Sequence, residues 1–243
     1  MKKVAIITGG SAGIGKALAK TYADNGYDVY SIARTKNKEL QAENITQVQF
    51  DLSNIDQIEE MFSNLIKNTK SEELESITLI NNAGSLGKIT NIENVDAETI
   101  QKTIALNTTA PMVLSALFIK NTEELNCSKK IINISSGAAK NPYSGWTMYC
   151  STKAALDMMT QTIGKEQEEL TNGVKIISIY PGVVETAMQE KIRKTSASDF
   201  KNVGKFIELK EQNLLADPMD VAFKILSLDE NNHFENGEIK SLN

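Results

Sequence analysis

The sequence predicts a doubly wound α/β fold, a parallel sheet covered by helices on both faces. Three observations predict it. Apolar, β-branched runs alternate with helical stretches from one end of the chain to the other. Several of these runs are apolar at consecutive positions, as strands buried on both faces require. A glycine-rich turn, Thr8-Gly9-Gly10-Ser11-Ala12-Gly13-Ile14-Gly15, stands between the first strand and the first helix.

Strands are expected at residues 4–8, 28–33, 48–50, 77–81, 130–135 and 174–180, with a short last one at 238–240. Helices are expected at 13–25, 55–70, 97–124, 148–170 and 218–229. Asp96 and Asp217 precede two of them as N-caps, and Pro218 suits a first helical turn. Residues 185–216 form a long polar segment without a strand. A long loop inside a compact domain is usually functional, often a substrate lid; the alternative is a tolerated surface insertion. With no repeat, low-complexity tract or linker, residues 1–243 read as one domain.

Hydrophobic residues at 41% and charged residues at 23% fit one soluble domain with a full-sized core. The net charge of −5 and the lack of a basic stripe argue against nucleic acid or an anionic membrane as partner. The N-terminus has a basic start and a short apolar run, but Gly9-Gly10 breaks that run as a turn after a strand would, unlike a signal peptide. No stretch is expected to approach a membrane span, and with no targeting motif the expected location is the cytoplasm. Cys127 and Cys150 give no disulfide framework. His233 is the single histidine, in a polar stretch, which argues against a histidine-based metal site or a Ser-His-Asp triad.

Glycines between a strand and a helix let the backbone approach a pyrophosphate, whose charge is favoured at a helix N-terminus. The second strand ends Ser31-Ile32-Ala33-Arg34, without the acid that usually binds an NAD ribose. Arg34 instead offers a charged fork for a 2′-phosphate, which points to NADP(H); Lys36 and Lys38 add positive potential or are simply exposed. Asp51-Leu52 would meet the adenine, and Asn82-Ala83-Gly84 would let a ribose pack on the backbone.

Tyr149 and Lys153 lie four apart on a predicted helix, about 5–6 Å between Cβ atoms. An ammonium so close favours the phenolate and would lower the tyrosine pKa toward neutrality. A hydroxyl from Ser136 could hold a carbonyl oxygen against Tyr149. Alone, such a pair also fits an ordinary half-buried helix.

Taken in order, Thr8-Gly-x-x-x-Gly13-x-Gly15, Asn82-Ala83-Gly84, Asn107, Ser136, Tyr149-x-x-x-Lys153 and Pro181-Gly182-x-x-x-Thr186 resemble the short-chain dehydrogenase/reductase family over nearly the whole chain. The resemblance implies a Rossmann-type fold, a nicotinamide cofactor and a catalytic tetrad of Asn107, Ser136, Tyr149 and Lys153. It assigns Tyr149 as general acid and Lys153 as the group that lowers its pKa and binds the nicotinamide ribose. Ser136, thirteen residues before Tyr149, would polarise the carbonyl, with Ser135 as the alternative. The Asn107 carbonyl would hold a relay water; Pro111, lacking an N–H, leaves it free. The alternative is a kink at Pro111 without chemistry. The cofactor set implied is Ile6, Gly9, Ser11, Gly13, Ile14, Gly15, Arg34, Asp51, Leu52, Asn82, Ala83, Gly84, Tyr149, Lys153, Pro181, Gly182, Val184 and Thr186. The family commonly pairs its two long helices, here 97–124 and 148–170, so a homo-oligomer, dimer or tetramer, is expected.

Two branches of the family look closer. The stretch 132–150 is similar to sepiapterin reductases, and Ile134-Ser-Ser-Gly-Ala-Ala-Lys-Asn-Pro-Tyr143 with Gly145-Trp146 is especially similar to bacterial benzil reductases that form (S)-benzoin. Sepiapterin reductases anchor the pterin with a C-terminal aspartate, and Gly237-Glu-Ile-Lys-Ser-Leu-Asn243 has none. Glu238 aligns at the wrong position. A pocket of Ser136, Tyr143, Trp146, Tyr149, Met188 and Phe206, with Met148 nearby, would suit an aryl diketone. The expected activity is NADPH-dependent reduction of a small carbonyl compound, an α-dicarbonyl such as benzil. The alternatives are pterin side-chain reduction, an idle NADP(H)-binding sensor, or a transferase or epimerase on the same fold.

Overall fold

The computed structural model describes residues 1–69 and 74–242. Among these, seven strands form one parallel sheet: β1 (Lys2–Thr8), β2 (Tyr27–Ala33), β3 (Ile45–Gln49), β4 (Leu74–Asn81), β5 (Ser128–Ile134), β6 (Lys175–Tyr180) and β7 (Glu238–Ser241). Their order across the sheet is β3-β2-β1-β4-β5-β6-β7, so the winding reverses between β1 and β4. All six strand pairings are parallel. A crevice forms at such a reversal, beyond the carboxyl ends of the strands, and it positions everything that follows.

The consecutive apolar residues of β1 explain its central place. Val4 and Ile6 pack into the core beneath α2 (Ile58–Thr69) and α4 (Ala110–Thr122), with Phe62, Ile66 and Phe118. Ala5 and Ile7 face the opposite core, with Leu18 and Tyr22 of α1 (Gly13–Asp24) and Ile225 of α8 (Pro218–Asn231). The alternation is the period-2 geometry of a strand filling two layers at once. The side chain of Ile6, expected among the cofactor residues, packs in the core and does not line the cleft. The predicted caps hold: Asp96 accepts from the Thr99 amide at 2.8 Å and Asp217 from the Met219 amide at 2.6 Å. Lys70, the expected end of the second helix, lies outside the described residues.

Three expectations are corrected. The helix expected at 97–124 is divided into α3 (Ala97–Ile104), a π-turn (Ala105–Thr109) and α4. Pro111 has no N–H to continue the ladder, and the Ala110 amide reaches back five residues to the Ala105 carbonyl. The run Ala97–Thr122, 26 residues with mean hydropathy 1.3 in its most apolar stretch, is long and apolar enough to cross a membrane by length and composition alone, contrary to the sequence reading. Here Ala110, Leu114 and Phe118 on it are buried in the core under the sheet.

Residues 185–216 are the third correction, because they are not a loop. They carry α6 (Ala187–Arg193) and α7 (Val203–Glu211). Their apolar positions, Met188 and Ile192 on one helix and Val203 and Phe206 on the other, are spaced for one helical face but diluted by lysine and glutamate. The excursion closes at its base, where the Ala216 amide donates to Val183 at 2.9 Å and the Glu185 amide to Ala216 at 3.0 Å. Glu185 also pairs with Arg193 of α6 at 2.8 Å and Lys210 of α7 at 2.9 Å.

Candidate active site

A cleft of about 640 Å³ runs along the carboxyl ends of the strands. Its first half is built by the glycine turn. Gly9 (φ +69°) and Gly13 (φ +52°) occupy left-handed backbone that favours glycine. A Cβ on Gly9 would lie 2.9 Å from the Ala83 Cα, and one on Gly15 2.2 Å from the Gly9 carbonyl oxygen. Gly15 thus acts by close packing behind the cleft wall. The turn is strapped to the end of β4: the Thr8 hydroxyl accepts from the Asn82 and Ala83 amides at 2.9 and 3.0 Å, and the Asn82 side chain donates to the Thr8 carbonyl at 2.9 Å.

The N-terminus of α1 has no side-chain cap and no acidic residue in its first turn. Its first amides are therefore available to an outside anion. Ser11, Gly13 and Ile14 border the cleft there, with Arg34, Asp51 and Leu52 farther along the same wall. The Asp51 carboxyl is held below its usual range by the Ser53 amide at 3.0 Å, with burial opposing. Pro181, Gly182, Val184 and Thr186 close the cleft from β6; the Thr186 methyl lies 3.1 Å from where a Gly13 Cβ would stand. These features fit a pyrophosphate-bearing dinucleotide.

Beyond Gly84, the cleft reaches α5 (Thr147–Glu168). Tyr149 and Lys153 point into it with 8% and 5% of their surface exposed. Lys153 donates to the Ile134 carbonyl at 2.7 Å, and its Nζ lies 5.8 Å from the Tyr149 ring centroid. Ser136 accepts from the Ala138 amide at 3.2 Å and borders the cleft with Tyr149, where its hydroxyl acts to lower the tyrosine's pKa. Ser135 instead turns its hydroxyl toward the Lys153 carbonyl, so Ser136 is the serine facing the tyrosine. A buried polar chain holds the underside of α5: Asn81 to Asn133 at 2.9 Å, Asn133 to Thr160 at 2.8 Å, Thr160 to Ser178 at 2.8 Å.

Asn107 sits in the π-turn and does not line the cleft. Its side chain donates to the Ser85 carbonyl at 2.7 Å and the Thr152 hydroxyl at 3.1 Å, and accepts from the Ser85 amide at 2.9 Å. The side chain is thus fully committed to joining the π-turn, the loop after β4 and α5.

The electrostatics correct one expectation. The Tyr149 hydroxyl is pushed up, because burial outweighs the Ser136 hydrogen bond. Burial also pulls Lys153 down to about 8, with Asp157 opposing. Sequence spacing places an ammonium beside the ring, but both groups are desolvated together. In this state Tyr149 keeps its proton at neutral pH.

The end of the cleft around Tyr149 is aromatic. Trp146 stacks on Phe200 at 4.6 Å, meets Tyr149 edge-on at 5.6 Å, and lies 5.0 Å from Tyr143 and 5.4 Å from Phe206. Met188 completes the wall, whereas Met148 packs outside it, near Gly87. The sequence reading missed Leu86, Tyr180, Gln189, Ile192, Lys205 and Ser241, which also border the cleft. For Gln189 and Ile192 the available signal was their place one helical turn apart on α6.

A family model described as short chain dehydrogenase matches residues 3–197. The chain is 41% identical over 240 residues to a benzil reductase ((S)-benzoin forming) of Bacillus cereus, covering 96% of each. It is 30% identical over 253 residues to the sepiapterin reductase of Bos taurus, covering 97% of this chain and 92% of the other. The solved structure of ElxO with NADP bound superposes with a TM-score of 0.80 at 28% identity, over 100% of this chain and 97% of that one. Fold, cleft and relatives together define an oxidoreductase that uses a nicotinamide cofactor on a carbonyl or CH–OH group. The chain belongs to the short-chain dehydrogenase/reductase family.

Proposed function

We propose that this protein is an NADPH-dependent carbonyl reductase whose substrates are α-dicarbonyl compounds, with benzil reduced to (S)-benzoin as the reference reaction. The observation that carries the proposal is a buried Tyr149 that shares an aromatic-walled cleft with Ser136 and Lys153, its hydroxyl pushed up by that burial. When bound, NADPH supplies the hydride. Tyr149 gives its proton to the substrate oxygen, Ser136 orients that oxygen, and Lys153 contributes positive charge beneath it. Tyr143, Trp146 and Phe206 line the cleft and face aryl groups, while Phe200 stacks behind Trp146, and together they exclude water.

The test follows NADPH absorbance with benzil, sepiapterin and a simple diketone side by side. Benzil turnover without sepiapterin turnover is expected. Preference for sepiapterin would reverse the substrate assignment. Arg34 supports NADPH over NADH. Arg34→Ala should raise the NADPH KM roughly 10- to 100-fold, the range for losing a charge-assisted hydrogen bond, and leave the NADH KM nearly unchanged. Equal effects on both would return Arg34 to the solvated surface.

A further inference from the structure

Asp157 is a buried carboxylate with no part in the assigned chemistry. It lies on α5 one turn beyond Lys153, with 6% of its surface exposed. One oxygen accepts a short hydrogen bond from the Tyr180 hydroxyl, and the other has no partner among the described residues. Tyr180 ends β6 immediately before Pro181-Gly182 and borders the cleft. Burying an unpaired carboxylate is costly, and an apolar residue would fill this space without that cost.

We propose that Asp157 and Tyr180 form a positioning pair that keeps Lys153 charged in the working enzyme and ties α5 to the cofactor-facing end of β6. Its use in catalysis rests on the carbonyl-reductase reading; the charge coupling does not. Lys153 donates to the Ile134 carbonyl, a neutral partner, so no ion pair among the described residues offsets its desolvation directly. Asp157 is the anion that acts against the burial. Among the described residues, the other groups facing this region are neutral, cationic or, for Glu238, paired with a lysine. From the π-turn comes the Asn107 amide, whose oxygen approaches the Gly84 backbone as Lys153 does. From β5 comes the Ser135 hydroxyl, and from α5 itself the Tyr149 hydroxyl and the Cys150 thiol, both pushed up by burial. Beyond β5, Lys140 places its Nζ 5.5 Å over the Tyr180 ring. On β7, Glu238 and Lys240 pair with each other at 3.3 Å. Tyr180 directs the carboxylate, and burial with Asp157 keeps its hydroxyl protonated far above neutral pH.

The test reads Lys153 directly. Lysine carrying ¹³C at Cε is incorporated, and the Lys153 resonance is assigned by its loss in Lys153→Met. The ligand-free wild type should titrate near the value of about 8. Asp157→Asn, nearly isosteric and still able to accept from Tyr180, should lower that midpoint by about one unit, the low end for losing a nearby opposite charge. Asp157→Glu should restore it. Tyr180→Phe keeps the charge and should not lower the midpoint, which separates charge from general loosening of the helix. In turnover, the alkaline limb of kcat/KM should move to lower pH with Asp157→Asn by the same interval. An unmoved Lys153 resonance in folded Asp157→Asn, or an equal fall in Tyr180→Phe, would sink the inference. Wild-type protein that reduces no carbonyl while the resonance still shifts would leave the pair intact and overturn the reductase reading.

Discussion

Tyr149→Phe is expected to lower kcat for dicarbonyl reduction by about 10²–10⁴-fold, the range for removing a positioned general acid. Cofactor affinity should be nearly unchanged, because the glycine turn, the α1 N-terminus and Arg34 lie at the other end of the cleft. The ring is buried among Trp146 and Ala138, and phenylalanine fills the same space. Fluorescence titration with NADPH and a thermal melt separate lost chemistry from lost fold. The pH dependence follows from the same geometry. Burial pushes the Tyr149 hydroxyl above its ordinary value, so the acid form persists through neutrality and reduction should not fall there on its account. Oxidation of the hydroxy product needs the phenolate and should climb with pH. Lys153 sets the limit for reduction in the free enzyme, because its charge is lost as pH rises past about 8. Residual reduction by Tyr149→Phe near the wild-type rate would assign the proton to another donor.

The parts of this site legible in the sequence are those whose partners lie a few residues apart. Gly9 and Gly13 mark a turn because left-handed backbone at a strand–helix junction has few other residues that fit. Tyr149 and Lys153 share a face because helical spacing guarantees it. What escaped the sequence depends on contacts between distant segments. Asp157 and Tyr180 meet only when α5 packs on β6, and nothing at either position announces the other. Helices α6 and α7 are short, and their burial comes from Trp146, Phe200 and the post-β4 loop rather than from a long periodic pattern. The direction of the Tyr149 shift depends on how deeply the pair is buried, which spacing does not encode. Pro111 signalled a disturbance of its helix, but the five-residue register and the full commitment of the Asn107 side chain needed the folded loop beside it.

The same distinction governs stability at the opposite end of the sheet, away from the cleft. Asp229, in the last turns of α8, is buried at 1% exposure and pairs with Lys130 of β5 at 2.9 Å. Tyr22 of α1 donates to its other oxygen at 2.9 Å, and the Thr78 hydroxyl of β4 donates to the oxygen paired with Lys130 at 3.3 Å. A carboxylate near a helix C-terminus opposes the helix dipole, so the Lys130 ammonium carries much of the compensation. Lys130→Met should therefore cost about 3–5 kcal/mol, because it strands a buried charge. At roughly 2–4 °C per kcal/mol for a chain of this size, the melting temperature should fall by about 6–20 °C. Lys130→Met with Asp229→Asn should recover part of that loss, since the stranded charge is gone while Tyr22 still has an oxygen to donate to. Denaturant melts of the two single variants and the double variant give the coupling directly. A cost below about 1 kcal/mol for Lys130→Met would mean that water reaches Asp229 and the pair behaves as a surface pair does. The cleft lies at the far ends of the same strands, so the NADPH KM of these variants should stay near the wild-type value below their melting temperatures.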